Sequence, residues 1–236
     1  MIVVLAVAVL AVVAELIARA VVPAVVRSSV IDELGLPADQ QMQVDAAGIL
    51  LPQLIAGRLD ELRITSQNVT IGGVTGSADV TATGVPLGGG DLGAANGTVR
   101  IDQQQLTSLL SASELPIEEV TLQEPDLVLA GTLEVLSLQI PASVTVTPGA
   151  EDGELVLTVV SVSVGDGQLD LSSVTGWLED TSAQLSGPHR SCIADRLPAG
   201  LTLTGVAIDG DEAVIDIDVD GAIATDPTLV ENGTCS

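Results

Sequence analysis

The chain has 236 residues and a formal net charge of −25 at pH 7, with 32 acidic residues against seven arginines and no lysine. This charge balance leaves no cationic surface of the kind that nucleic-acid binding requires. Because the chain has no Phe, no Tyr and a single Trp, it also lacks aromatic stacking platforms. The negative charge also argues against attachment to a membrane through a basic patch, so any affinity for lipid has to come from burial of acyl chains.

The N-terminal stretch predicts export or membrane anchoring. The first fourteen residues carry no charge, and a run of this length suits a signal-peptide core. We expect residues 1–26 to be an export signal or a membrane anchor and residues 27–236 to form a single domain; whether a signal is cleaved or retained stays open. Apolar residues at helical spacing continue to Leu34, which predicts a long N-terminal helix that Pro23 kinks or interrupts.

Short strands and helices follow, each bounded by glycine or proline. The predicted elements, in chain order, are a strand at 42–48, a helix at 51–57, a hairpin that turns at Gly72-Gly73, a glycine-rich connection at 86–93 and a helix capped by Asp102. The connection at 86–93 lacks the Gly-Lys-Ser/Thr of a phosphate-binding loop, so we interpret it as a flexible link.

From Val120 onward the sequence predicts short alternating strands, interrupted by a helix at 171–185 that carries Trp177. Two portions, 115–133 and 197–221, each open with Leu-Pro and predict a pair of strands, which is a weak internal repeat. Several helices against a large, mainly antiparallel sheet, without regular strand–helix alternation, predict the α+β class.

The cysteine content favours one disulfide. Cys192 and Cys235 are the only cysteines, and in an exported chain they are expected to pair. The alternative is two free thiols that pack as small apolar residues. Two cysteines and the single His189 do not make a metal-ligand set, so we expect neither a metal nor a cofactor.

The sequence offers no catalytic constellation. Ser, His and Cys occur together at 186–192, where they are too close along the chain to face one another productively. Asp216, Asp218 and Asp220 alternate with aliphatic residues, which favours the solvated face of a strand over a weak divalent-ion site. We therefore predict that the protein is not an enzyme.

Two arginines, Arg58 and Arg63, lie five positions apart in a segment that reads LPQLIAGRLDELRI. Asp60 and Glu61 lie between them, and Glu33 and Asp45 are close in sequence, so Arg63 is expected to form solvated ion pairs. Arg58 follows the predicted helix stop at Gly57, and it is a candidate contact for a phosphate at the mouth of a pocket.

Several of these segments together resemble an actinobacterial envelope family, the one that includes the mycobacterial lipomannan elongation factor A and was formerly a domain of unknown function. They are the Leu-Gly-Leu at 34–36, the Leu-rich turn at 51–56, the Gly-Arg-Leu at 57–59 and the closing strand pair at 197–221. The resemblance implies an exported, periplasmic or envelope protein that binds phospholipid. It also implies a curved, mainly antiparallel sheet wrapped around the long N-terminal helix, as in tubular lipid-binding proteins.

We therefore expect a non-enzymatic phospholipid-binding or lipid-carrying protein of the cell envelope, with the membrane as a second partner through the N-terminal segment. Burial of acyl chains in an aliphatic groove would contribute about 0.8 kcal/mol per methylene removed from water. The candidate lipid-binding residues are Leu16, Ala20, Leu54, Ile55, Arg58, Leu62 and Ile64. The alternative is a structural or scaffolding envelope protein whose fully packed sheet binds a protein partner.

Overall fold

The computed structural model describes residues 2–34, 37, 40–71, 74–111, 117–135, 138–165, 167–170 and 188–235. The predicted helix at 171–185, with Trp177, and the turn at Gly72-Gly73 lie outside these residues. The described part of the chain contains three α-helices and twelve strands arranged in two antiparallel sheets, which confirms the predicted α+β class.

The N-terminal helix, α1, spans Ile2–Leu34. It continues through Pro23, so the proline does not interrupt it; loss of one backbone N–H donor leaves the bonds of the neighbouring turns in place. Ala18, Val22 and Val26 pack on the body of the molecule, where α1 lies beside the edge strand β1 (Gln43–Ala46). Most other apolar side chains of α1 are exposed.

The first sheet is open and contains six described strands. They are β1, β2 (Arg58–Ile71), β3 (Val74–Pro86), β4 (Ala94–Asp102), β11 (Leu201–Asp209) and β12 (Glu212–Val219). Their order is β1-β2-β3-β4-β12-β11, and the β2–β3 pairing confirms the predicted hairpin. A bulge in β2 between Ser66 and Val69 and another in β11 between Leu203 and Gly205 increase the local twist, which curves the sheet.

Two short helices lie at opposite ends of the first sheet. α2 (Leu50–Ala56) lies where β2 begins and β3 ends, and Gly57 ends it in the left-handed conformation, with φ 73° and ψ 21°. α3 (Gln103–Ser111) lies where β4 ends and β12 begins. As predicted, Asp102 caps α3: its carboxylate accepts the N–H of Gln105 at 2.8 Å.

The second sheet has the order β10-β8-β7-β6-β5, with β9 also paired to β8. Its strands are β5 (Glu119–Gln123), β6 (Asp126–Val135), β7 (Leu138–Glu151), β8 (Glu154–Val164), β9 (Gly167–Asp170) and β10 (Pro188–Ser191). The hairpins β5–β6 and β11–β12 are the two strand pairs that the sequence repeat at 115–133 and 197–221 predicts.

The described core consists of two clusters of aliphatic side chains. The inter-sheet cluster lies between the two sheets and α3, and its buried members are Val120, Leu122, Leu127, Val146, Ile208 and Ala213. The α1 cluster lies between α1, α2 and the β1 end of the first sheet, and its buried members are Ala18, Val44, Leu50, Leu59 and Leu62. Branched aliphatic side chains suit the pleated surface of strands, so these clusters form without aromatic residues.

The C-terminal segment is tied to the start of β11. Cys192 and Cys235 form the predicted disulfide. The N–H of Gly233 bonds to the carbonyl of Leu197 at 2.9 Å. The segment is therefore fixed by both covalent and backbone contacts.

Candidate functional site

One face of the first sheet, here called the aliphatic face, carries apolar side chains on all six strands, with Ser66 of β2 as a polar member that donates to the carbonyl of Gln41. Its central row runs by strand register through Val44, Ile64, Val80, Gly97, Ile217 and Leu203. The rows on either side contain Leu62, Ala82, Ala95 and Val219, and Ala78, Val99, Ile215 and Val206. These rows contain no charged residue, because the two-residue period of the strands directs the charged side chains to the other face.

The aliphatic face is covered unevenly. The α1 cluster covers its β1 end, and the inter-sheet cluster covers its α3 end. Several half-buried side chains of the face belong to neither cluster, among them Val80, Val99, Ile215 and Ile217. These four residues, the central strip, leave apolar surface in the middle of the face.

Gly97 lies between two residues of the central strip. A Cβ at this position would lie 3.3 Å from Cγ1 of Ile217 and 3.4 Å from Cγ2 of Val80. The first separation is tighter than most van der Waals contacts and the second lies at their lower limit, so even a methyl group would require the neighbouring side chains to shift by a few tenths of an ångström. The glycine therefore lets Val80 and Ile217 approach each other across β4.

The opposite face of the first sheet is polar and forms a cleft of ≈ 950 Å³. The residues that line it include Arg27, Arg63, Thr65, Ser77, Asp79, Thr81, Asn96, Thr98 and Arg100. Thr98 donates its hydroxyl to Asp216 at 2.6 Å. This cleft suits polar groups and water, and it does not offer the apolar surface that an acyl chain requires.

Of the three arginines that line the polar cleft, Arg63 and Arg100 pair with neighbouring carboxylates, whereas Arg27 donates to the carbonyl of Gln40 and forms no ion pair among the described residues. Arg63 pairs with Asp79, and the hydrogen bond and charge of Asp79 raise the pKa of Arg63 above its ordinary value. Arg100 lies 3.1 Å from Asp209, whose hydrogen bond likewise raises the pKa of Arg100. Both side chains stay protonated, and the paired carboxylates offset the positive charge of these two arginines. The predicted ion pairing of Arg63 is thus present, with Asp79 on the adjacent strand as its partner.

The structure separates the seven predicted lipid-binding residues into two groups. Leu54, Leu62 and Ile64 come together in the α1 cluster. The others are exposed: Leu16 and Ala20 on the outer side of α1, Ile55 on α2, and Arg58 at the start of β2. The residues of α1 and α2 were predicted as lipid-binding because the helix faces that carry them were expected to meet the sheet.

The central strip was missed as a candidate site by sequence reasoning. The alternation at 78–82 and 213–219 predicted strands with one apolar side, and both strands are present. Alternation alone does not tell which apolar side chains a helix will cover. The usable signal was Gly97 within an alternating segment, since a strand glycine often marks a close approach of neighbouring groups.

The described residues contain no group of three or more His, Cys, Asp or Glu side chains placed to hold a metal ion. One helical segment in the described chain, Ala8–Ile31, is long and apolar enough to cross a membrane, and signal sequences pass the same test.

Comparison with known proteins gives one informative match. A family model described as LmeA-like phospholipid-binding matches residues 13–217, which is most of the chain. No curated protein and no solved structure matches the chain significantly. The matched region extends from within α1 into β12 and therefore includes the aliphatic face apart from Val219.

Proposed function

Because the chain belongs to the LmeA-like phospholipid-binding family, we propose that it binds a phospholipid without converting it and buries the acyl chains on the aliphatic face of the first sheet. The observation that carries this proposal is the central strip, Val80, Val99, Ile215 and Ile217. It is apolar, half-buried and outside both core clusters. An acyl chain that covers the strip would remove this surface from water.

The uneven coverage favours a lipid ligand over a fully packed scaffold. Leu62 and Ile64 extend the aliphatic surface from the strip to the α1 cluster. An acyl chain could therefore lie along the rows from β12 toward β2 without meeting a charged side chain. The polar cleft on the opposite face offers no comparable apolar surface.

We also propose that the protein acts outside the cytoplasm, in the cell envelope. The disulfide between Cys192 and Cys235 supports export, because such bonds persist in oxidising compartments. The apolar N-terminal helix supports the same location as either a signal or an anchor.

The test compares two adjacent residues of β3 that point to opposite faces. Val80→Asn places an amide on the aliphatic face, and Thr81→Asn places the same group on the polar face; both positions are half-buried. Full chains of each variant, purified in the same detergent and washed equally, are extracted, and phospholipid is quantified by mass spectrometry.

We expect Val80→Asn to retain about tenfold less phospholipid than Thr81→Asn, since burial of a valine is worth about 1.5 kcal/mol. Phospholipid that binds to α1 contributes equally to the amounts measured for the two variants, because α1 is unchanged in both of them. Circular dichroism checks that both variants fold. Equal retention in two folded variants, or no phospholipid in the unmodified chain, would reject the proposal.

A further inference from the structure

The C-terminal half of α1 is fastened to the body of the molecule by polar contacts. The carboxylate of Glu15 accepts the N–H groups of Leu50 at 3.0 Å and Leu51 at 2.8 Å. Arg19 donates to the carbonyl of Gly48 at 2.6 Å. Further along α1, Arg27 donates to the carbonyl of Gln40 at 2.6 Å.

These contacts fix the direction in which the N-terminal half of α1 projects. Arg27 contacts Gln40, which precedes β1, whereas Glu15, twelve positions earlier in α1, contacts Leu50, which follows β1. The helix therefore lies antiparallel to β1. The residues before Glu15 therefore extend past the end of the first sheet that carries α2. Every residue there whose side chain is described, from Leu5 to Val13, is exposed.

The projecting half, residues 2–14, is uncharged, so it can enter the hydrocarbon layer of a membrane without burying a charge. The apolar segment Ala8–Ile31 overlaps it but also includes the part of α1 that packs on β1 and α2. With those contacts intact, insertion of the projecting half brings the α2 end of the sheet to the membrane surface.

That end carries exposed apolar side chains, here called the tip: Ile49, Ile55 and Leu87 are 63%, 81% and 45% exposed. Leu87 is joined to the end of α2 by its N–H bond to the carbonyl of Gly57 at 2.9 Å. Such side chains are the kind that enter the layer between head groups and acyl chains.

An unpaired cation lies beside the tip. A Cβ at Gly84 would lie 2.7 Å from Nη2 of Arg58, which places the guanidinium at the β3 end next to the tip. Among the described residues, Arg58 forms no ion pair, whereas Arg19, Arg63 and Arg100 all do. In a chain of net charge −25, a free guanidinium at this end is complementary to a lipid phosphate.

We propose that the tip docks on a phospholipid bilayer, with the projecting half of α1 inserted, Ile49, Ile55 and Leu87 in the interfacial layer and Arg58 on a lipid phosphate. The proposal rests on the phospholipid-binding function and specifies how the protein meets the membrane that holds its ligand. The aliphatic face then adjoins the bilayer at its β2–β3 end, where the tip lies.

The experiment uses the full chain, with its disulfide oxidised, in phosphatidylcholine vesicles. A fluorophore is attached to a cysteine introduced by Ile55→Cys or, as the matched control, by Leu109→Cys on α3 at the opposite end of the first sheet, where Leu109 is also exposed. Lipids with a nitroxide near the head group are expected to quench the label at position 55 about threefold more than at position 109. Equal quenching at both positions would overturn the proposal.

Two further labels and conditions separate the competing arrangements. Val25→Cys labels the exposed side of the fastened half of α1, and its quenching by a nitroxide at the end of the acyl chain would show that this half enters the bilayer, against the proposal. Concentration-dependent shielding of position 55 from iodide in detergent would indicate a second copy on the tip, also against it.

The phosphate contact is tested by Arg58→Gln in the position-55 labelled chain. It is expected to lower quenching about twofold, whereas Arg196→Gln, at another described arginine without an ion pair, leaves it unchanged. Equal effects would contradict the contact. If phospholipid retention depends on Val80 but quenching is equal at positions 55 and 109, the docking alone is rejected. If the label at position 55 is quenched more but retention does not depend on Val80, the acyl-chain site alone is rejected.

Discussion

Glu15 provides the acceptor for the first N–H groups of α2, although it lies far from α2 in the sequence. At most helix starts a neighbouring residue provides this acceptor. The residue before α2 is Ile49, whose side chain makes no capping bond, so the first N–H groups of α2 need another acceptor. The carboxylate of Glu15 accepts two of them and also pairs with Arg19 at 2.9 Å. One side chain therefore both caps α2 and fixes α1 to the body.

This role predicts a local effect of Glu15→Ala. Without the carboxylate, the amides of Leu50 and Leu51 lose their acceptors, and their hydrogen exchange is expected to accelerate by about tenfold in the full chain. Ser28→Ala is the control, since Ser28 donates only to Val25 within α1. If the amides of Leu50 and Leu51 exchange as slowly in Glu15→Ala as in Ser28→Ala, the capping role is contradicted.

At the scale of single residues, sequence reasoning succeeded where the cause is local. Asp102 was recognised as a cap because its acceptor lies three positions before the amide that it binds. Glu15 was not recognised, because Leu50 is 35 positions away and no spacing rule connects them. The same reason explains why the partner of Arg63 is Asp79 on the next strand and neither Asp60 nor Glu61.

At the scale of elements, the turn from α2 into β2 depends on Gly57. Its φ of 73° lies in the left-handed region, and no atom outside its neighbours lies within 4 Å of a Cβ added there. The cost of replacing it would therefore come from the backbone alone and not from a clash. Replacement of Gly57 therefore tests whether its left-handed backbone conformation ends α2.

Gly57→Ala is expected to lower the free energy of unfolding by about 1 kcal/mol, the cost of a Cβ in the left-handed region. Gly88→Ala is the matched control, because Gly88 also has open space around it but is not in the left-handed region, and its effect should stay within about 0.5 kcal/mol. Denaturant titration of both variants measures the difference. Similar losses in both would mean that backbone conformation does not end α2.

At the scale of the whole molecule, the charge of −25 sets which membranes the protein can approach. Acidic residues outnumber basic ones more than four to one, and most described arginines are paired with carboxylates. Anionic vesicles should therefore repel the body even where the tip is apolar. Burial of apolar groups, which salt does not screen, provides the attraction.

We expect the full chain, diluted from detergent, to associate less with phosphatidylglycerol vesicles than with phosphatidylcholine vesicles at about 0.1 M salt, where charges interact over about 10 Å. The difference should nearly vanish at about 1 M, where that length is about 3 Å. Co-flotation with the vesicles measures association, and phosphatidylcholine at both salt concentrations is the control. Preference for phosphatidylglycerol at the lower salt concentration would show that the negative charge does not govern the approach.

The sequence by itself determined the α+β class, the long N-terminal helix, the hairpins, the end of α2 at Gly57, the start of α3 at Asp102 and the disulfide pair. Each of these follows from residues close in sequence or, for Cys192 and Cys235, from the absence of any other partner. The family resemblance, which the match over residues 13–217 confirms, added the phospholipid ligand.

Only the tertiary structure decided which apolar side chains are covered. Leu16 and Leu62 are both aliphatic members of periodic segments, yet Leu16 is 62% exposed on α1 and Leu62 is buried in the α1 cluster. The difference arises because α1 packs at the edge of the sheet through Ala18, Val22 and Val26 and leaves its other sides free. Periodicity reports that a face is apolar, whereas coverage depends on where distant elements meet that face, so the central strip and the tip emerged only from the assembled fold.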